Sequence, residues 1–105
     1  MTTIPGFARR RVAVGDVTLS VQEAGAGAPL ILLHGYPQTG MTWSRVAPEF
    51  ARHFRVVVPD LRGYGESDAP ADDAGHTVYA KRTMARDIVA LMDALGIERA
   101  NILGH

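Results

Sequence analysis

Cysteine is absent from the 105 residues, so neither a disulfide nor a thiolate metal site can form within the chain. An excess of charge is missing too: eleven Lys and Arg face eleven Asp and Glu. Nucleic-acid binders carry a basic surplus that neutralises phosphates, and the balance here argues against that class. The one basic run, Arg9-Arg10-Arg11, falls in an alternating, strand-like segment and is expected to be a solvated face. Long hydrophobic runs are lacking. The longest aliphatic stretch, Leu30-Ile31-Leu32-Leu33, is far too short to span a bilayer. The first six residues have neither the basic nor the apolar region of a secretory signal. The expectation is a cytoplasmic protein. What remains is an ordinary globular composition, 47% hydrophobic and 21% charged, able to bury a core. The length fits one small domain or part of a larger one.

Two β-rich runs, 10–14 and 17–23, flank Gly15-Asp16 and predict a tight hairpin, because glycine takes positive φ cheaply. Residues 25–29, Gly-Ala-Gly-Ala-Pro, then break the chain. The continuous apolar run 30–33 suits a strand covered on both faces, as does 55–59 with its three valines. Between them, Trp43, Val46, Ala47 and Phe50 recur at the spacing of one buried helical face, with Pro48 expected to break or restart it. Residues 60–75 read as a long loop, a class that tends to be functional. The clearest helix runs from about Val78 to Leu95. Met84, Ile88, Leu91, Met92 and Leu95 form its apolar face, Thr77 is its expected N-cap and Gly96 its stop. A last strand covers 100–103. Strands alternating with helices predict an α/β protein with a parallel sheet entered through an antiparallel hairpin.

Three segments carry chemistry or its imitation. His34-Gly35-Tyr36-Pro37 follows a buried strand, and in an open α/β sheet the loops at the carboxyl ends of the strands form the binding crevice. Gly35 permits a sharp turn and Pro37 fixes φ after Tyr36. Together they can hold the Tyr36 backbone N–H free of any ladder, as half of an oxyanion hole. A plain strand-terminating turn gives the same composition. The second segment, Pro59 to Ser67, leaves the next buried strand. Asp60 could accept backbone N–H bonds there and Arg62 could brace the loop; a structural turn is the preferred reading. Gly63-x-Gly65 is no dinucleotide fingerprint, because a third glycine and a following helix are missing, and Gly25-x-Gly27 precedes a strand instead of following one. The third is Gly104-His105 after an apolar strand. It matches the first two positions of Gly-x-nucleophile-x-Gly, with the nucleophile at position 106. The four histidines, at 34, 53, 76 and 105, lack metal-ligand spacing, and Ser20, Ser44 and Ser67 lack the elbow setting of a nucleophile.

Combined at this spacing, the three segments resemble the N-terminal third of an α/β-hydrolase, from about Val12 to His105. Residues 30–37 are similar to the strand and oxyanion loop of the epoxide hydrolase and dehalogenase branch, and 57–67 to its next strand and loop. Pro37-Gln38-Thr39, Trp43 before Val46-Ala47-Pro48, and Tyr79 to Asp87 resemble fluoroacetate (haloacetate) dehalogenases. That family usually carries Phe at the Tyr36 position. Haloalkane dehalogenases, which commonly carry Asn there, are less similar.

The resemblance implies an α/β-hydrolase fold with strand order 1-2-4-3-5-6-7-8, of which this chain supplies strands 1–5, incomplete without the following segment. Residues 1–105 would be the N-terminal segment of the core domain, ending at the nucleophile elbow. The resemblance further implies an Asp nucleophile at position 106, a covalent ester and a downstream His that activates water. Tyr36 would be the oxyanion donor through its backbone N–H and would contact substrate. His34, Gly35, Pro37, Gly104 and His105 would be structural neighbours of the site. No cofactor and no metal are implied. The expected partners are a small-molecule substrate and a complementary C-terminal segment carrying nucleophile, acid, His and cap, packed against strand 100–103. A homodimer stays open, and neither nucleic acid nor membrane is expected. Epoxide hydrolysis is the alternative reaction, followed by a serine esterase with Ser at 106 and by a non-catalytic fragment.

Overall fold

Gly15, at φ +98°, lets the chain reverse between Val14 and Val17, where the Val14 N–H donates to the Val17 carbonyl at 2.9 Å. In the computed structural model, which describes residues 3–35, 38–71, 75 and 78–104, this turn joins β1 (Ala8–Ala13) and β2 (Thr18–Ala24). The two strands are antiparallel, with Val12 opposite Leu19. The predicted hairpin is therefore present, with β1 starting two residues before the expected Arg10. The basic run is not uniformly solvated. Arg10 and Arg11 are about half exposed, but Arg9 turns its guanidinium inward to Ser20 Oγ at 2.7 Å.

β3 (Pro29–Leu33) and β4 (Arg55–Pro59) are the two continuous apolar runs, and they pair in parallel with Ile31 opposite Val57. Successive strand side chains point to opposite faces, so each run supplies two cores. Ile31 and Val57 join Leu19, Val21, Ile88, Leu91 and Ile97 on one face. Leu30, Leu32, Val56 and Val58 join Ile4, Phe7 and Ala47 on the other. Each such side chain contributes about 1.5–3 kcal/mol when fully buried. β5 (Asn101–Gly104) runs parallel to β3 on its far side, with Ile31 opposite Ile102. The sheet order is β1-β2-β4-β3-β5, as expected for the first five strands of the α/β-hydrolase fold.

On the second face, a 3₁₀ turn at Gly40–Trp43 is capped by Thr39, whose Oγ1 accepts from the Met41 N–H at 3.2 Å. α1 (Ala47–Phe50) follows, and Pro48 sits in its first turn, where a missing N–H costs nothing. The proline thus restarts the helix. The restart splits the predicted apolar face: Ala47 is buried and Trp43 and Phe50 pack against the core, but Val46, the N-cap at the break, is 44% exposed.

α2 (Lys81–Ala94) packs on the first face through Ile88 and Leu91. It starts later than the expected Val78, with Ala80 as its N-cap in an extended conformation. Thr77, the expected cap, lies outside the described residues. The reason for the late start is visible at Val78. Its carbonyl, which in a longer helix would accept from residue 82, accepts from Arg62 Nη1 at 3.0 Å. The C-terminus stops at Gly96, φ +70°, in a Schellman arrangement: Ile97 N–H to the Met92 carbonyl at 2.8 Å and Gly96 N–H to the Asp93 carbonyl at 3.2 Å. Among the described residues no helix is long and apolar enough to cross a membrane.

Candidate functional site

The loops leaving the carboxyl ends of β3 and β4 meet at one edge of the sheet. His34, 4% exposed, directly follows β3. Its Nε2 accepts the Leu61 backbone N–H at 2.9 Å, and its Nδ1 lies 3.1 Å from the Gly35 carbonyl. A nitrogen that accepts from a backbone N–H carries no proton, so the proton is on Nδ1 and points at that carbonyl. The Tyr64 ring meets the imidazole edge-on at 5.1 Å between centroids. Both ring nitrogens are therefore engaged within the fold.

Asp60, the residue after β4, is 2% exposed. Its Oδ1 accepts from the Gly40 N–H at 2.7 Å and its Oδ2 from the Glu66 N–H at 3.0 Å, with Arg9 Nη1 at 3.4 Å. Two backbone donors and a guanidinium compensate the desolvation of a buried carboxylate. Gly65, at φ +51°, lies against this carboxylate, and a Cβ there would come within 2.3 Å of Oδ2. Ser67 completes the knot by accepting the Ser20 N–H at 2.8 Å and donating to the Asp60 carbonyl. The structural reading of this loop is correct as far as it goes, but Asp60 also reaches across to the loop after β3.

Arg62 braces the same loop and is 2% exposed. It grips Asp87 of α2 in a fork, Nε to Oδ2 and Nη2 to Oδ1, both at 2.7 Å. Nη2 also reaches Asp16 of the hairpin turn at 2.9 Å. These bonds, Asp87 foremost, hold the guanidinium well above its ordinary pKa. Lower on the loop, the Thr18 backbone N–H and then Arg11 hold the Asp68 carboxyl below the usual carboxylate range. Asp87 and Asp16 were not singled out in the sequence as partners of Arg62. The signal for Asp87 exists: it lies three residues after Met84 and four before Leu91, an acid within an apolar stripe. Nothing local points to Asp16.

Of the expected site residues, His34, Gly35 and Gly104 are described, whereas Tyr36, Pro37 and His105 lie outside the described residues. Gly104 is in register with Leu33, so the end of β5 arrives beside the start of the His34-Gly35 segment. Gln38 closes a turn with its N–H on the Gly35 carbonyl at 2.8 Å, and its Oε1 is sealed from solvent without a hydrogen-bond partner. An open apolar groove of about 200 Å³ starts at the same edge, lined by Leu33, Leu61, Lys81, Met84, Ala85 and Ile88. A larger groove, about 520 Å³, lies at the other end of α2 around Met92 and Ile97, away from these loops.

The family model for the alpha/beta hydrolase fold matches residues 28–105. The chain is 49% identical over 100 residues to a fluoroacetate dehalogenase from Burkholderia sp, covering 95% of this chain and 33% of that protein. It is 45% identical over 82 residues to a soluble epoxide hydrolase from Corynebacterium sp. (strain C12), covering 78% of this chain and 27% of the relative. A solved structure from Salmonella enterica, named as a candidate acyltransferase, superposes with a TM-score of 0.94 at 53% identity, covering 97% of this chain and 34% of its own. The chain thus spans about a third of the length of the proteins it matches.

Proposed function

We propose, for a chain that belongs to the α/β-hydrolase family, that it is the N-terminal segment of a haloacetate dehalogenase and supplies the oxyanion side of the active site. The observation that carries this reading is the 49% identity to fluoroacetate dehalogenase over nearly the whole chain. The Gln38-Thr39, Trp43 and Lys81-Arg82-Thr83-Met84 positions are in keeping with it.

In this scheme an Asp at position 106, carried by a complementary C-terminal segment, attacks the carbon that bears the halogen. A carboxylate oxygen forms the new C–O bond as the C–halogen bond breaks, and halide leaves with the electron pair. A His from the same segment then takes a proton from water, and the resulting hydroxide adds to the ester carbonyl. The Tyr36 backbone N–H donates to the oxyanion that develops. Such a donor is worth about 3 kcal/mol in that transition state. Collapse breaks the bond between the acyl carbon and the substrate oxygen, whose alkoxide takes up the proton of the added hydroxyl. The Asp carboxylate is restored, the 2-hydroxy acid leaves and the His returns its proton to solvent, with no metal or nucleotide in any step.

Epoxide hydrolysis is the second reading, favoured by the 45% identity to the Corynebacterium soluble epoxide hydrolase. It shares the Asp attack but requires tyrosines in the cap to protonate the epoxide oxygen. The deciding experiment offers haloacetates, epoxides and simple esters to the chelator-treated full-length protein. Halide release from haloacetates is the expected outcome. Epoxide turnover without halide release would promote the second reading, and turnover of esters alone would reject an Asp nucleophile.

A further inference from the structure

The loop after β3 is fastened at both ends to two consecutive residues. At its start, His34 Nε2 holds the Leu61 N–H at 2.9 Å. At its end, the Gly40 N–H is held by Asp60 Oδ1 at 2.7 Å. Both bonds cross from one loop to the other, and both join a side chain to backbone, so the main chain itself is what they place. Their anchor is fixed in turn. The Asp60 N–H donates to the Ser20 carbonyl at 2.8 Å, and its carboxylate also holds the Glu66 N–H and faces Arg9. Gly40 leaves no slack: a Cβ there would lie 3.0 Å from both Asp60 Oδ1 and Val58 Cγ1. Neither His34 nor Asp60 takes part in the proton or bond transfers of the proposed reaction.

We propose that His34 and Asp60 are positioning residues for one half of the reaction, fixing the backbone of the 34–40 loop so that its donor meets the oxyanion during ester cleavage. The inference rests on the proposed function and deepens it. Carbon–halogen displacement builds no oxyanion on the enzyme, so it does not call on this donor. Ester hydrolysis does. A displacement of about 1 Å at a positioned group costs on the order of 100-fold in rate. Loosening either fastening should therefore slow the second step and spare the first.

The test follows ester formation and decay separately in the full-length protein, by rapid quench with chloroacetate, or with an epoxide if that is what the wild type turns over. Intact mass reports the covalent adduct. In His34→Ala the adduct should form within about twofold of the wild-type rate and decay on the order of 10- to 100-fold more slowly, so that ester accumulates. His34→Gln, whose Oε1 can accept the Leu61 N–H, should recover most of the loss. Asp60→Asn should resemble His34→Ala, because the Gly40 and Glu66 N–H groups are held by different carboxylate oxygens and the amide replaces one of these with a donor NH2. If Asp60→Asn fails to fold by circular dichroism, the two His34 variants decide alone. Equal slowing of both steps, or unchanged decay in a folded His34→Ala, would overturn the inference while leaving the function standing. A wild type that forms no adduct with either substrate would overturn the functional reading and the inference together.

Discussion

Arg62 is the residue on which the most distant parts of the chain converge, and its two acidic partners are not equivalent. The Asp87 side chain is 4% exposed and Asp16 is 73% exposed. Removing one partner of a buried pair strands the other charge, which typically costs about 3–5 kcal/mol. A solvent-screened pair is worth at most about 1 kcal/mol. Asp87→Ala should therefore lower unfolding stability several times more than Asp16→Ala in denaturant titrations of the protein. Equal losses would show that the fork carries no special weight. The sequence makes Asp60 and Arg62 visible as candidate braces because they share one glycine-rich loop. It does not show that Arg62 bonds to residues 16 and 87, or that Asp60 bonds to residues 9 and 40. Those partners lie far off in sequence and come together only through the sheet. Arg9 is the clearest case: its neighbours Arg10 and Arg11 are exposed, and only tertiary contact with Ser20 and Asp60 turns it inward.

At the scale of elements, periodicity and glycine positions carry most of the information. β4 coincides with its expected 55–59 span, and α2 stops at Gly96 as anticipated. The start of α2 is less legible, since the Val78 carbonyl is taken by a tertiary bond from Arg62 that no local pattern shows. The result is a helix whose N-cap, Ala80, makes no side-chain cap bond and whose first turn holds Lys81 and Arg82 but no acid. Both features oppose the positive end of the helix dipole. Ala80→Asp should stabilise the protein by about 1 kcal/mol, read as a rise in thermal midpoint. A fall in midpoint would mean that another contact already serves this end of the helix. Lys81 lines the groove beside the candidate site.

For the molecule as a whole, the sheet ends unevenly. β1 carries three consecutive arginines, a charge density that discourages edge pairing. β5 exposes all four of its residues, with Ile102 at 50% and Leu103 at 40%. Apolar edges of this kind pair with other chains. Residues 1–105 expressed alone should therefore self-associate in size-exclusion chromatography and light scattering. A soluble monomer with one cooperative thermal transition would refute this. The first five strands could be ordered in advance only through the likeness to α/β-hydrolases. Pattern alone gives strands and helices, and it does not say that β4 lies between β2 and β3.

That insertion bears on how the chain is made. β2 and β3 leave the ribosome before β4 and are joined by only residues 25–28. β4 is antiparallel to β2 and parallel to β3, so β2 and β3 run in opposite directions, the orientation a premature hairpin would need. The connection between them is shaped for a different neighbour. Gly25, at φ +85°, lies so close to the segment before β4 that a Cβ would come within 2.1 Å of the Phe54 carbonyl oxygen. The Ala28 carbonyl accepts from the Arg55 N–H at 3.0 Å. A nascent chain thus holds two strands whose simplest pairing is the wrong one. The emergence of residues 51–59 is the moment at which that pairing loses to the native sheet.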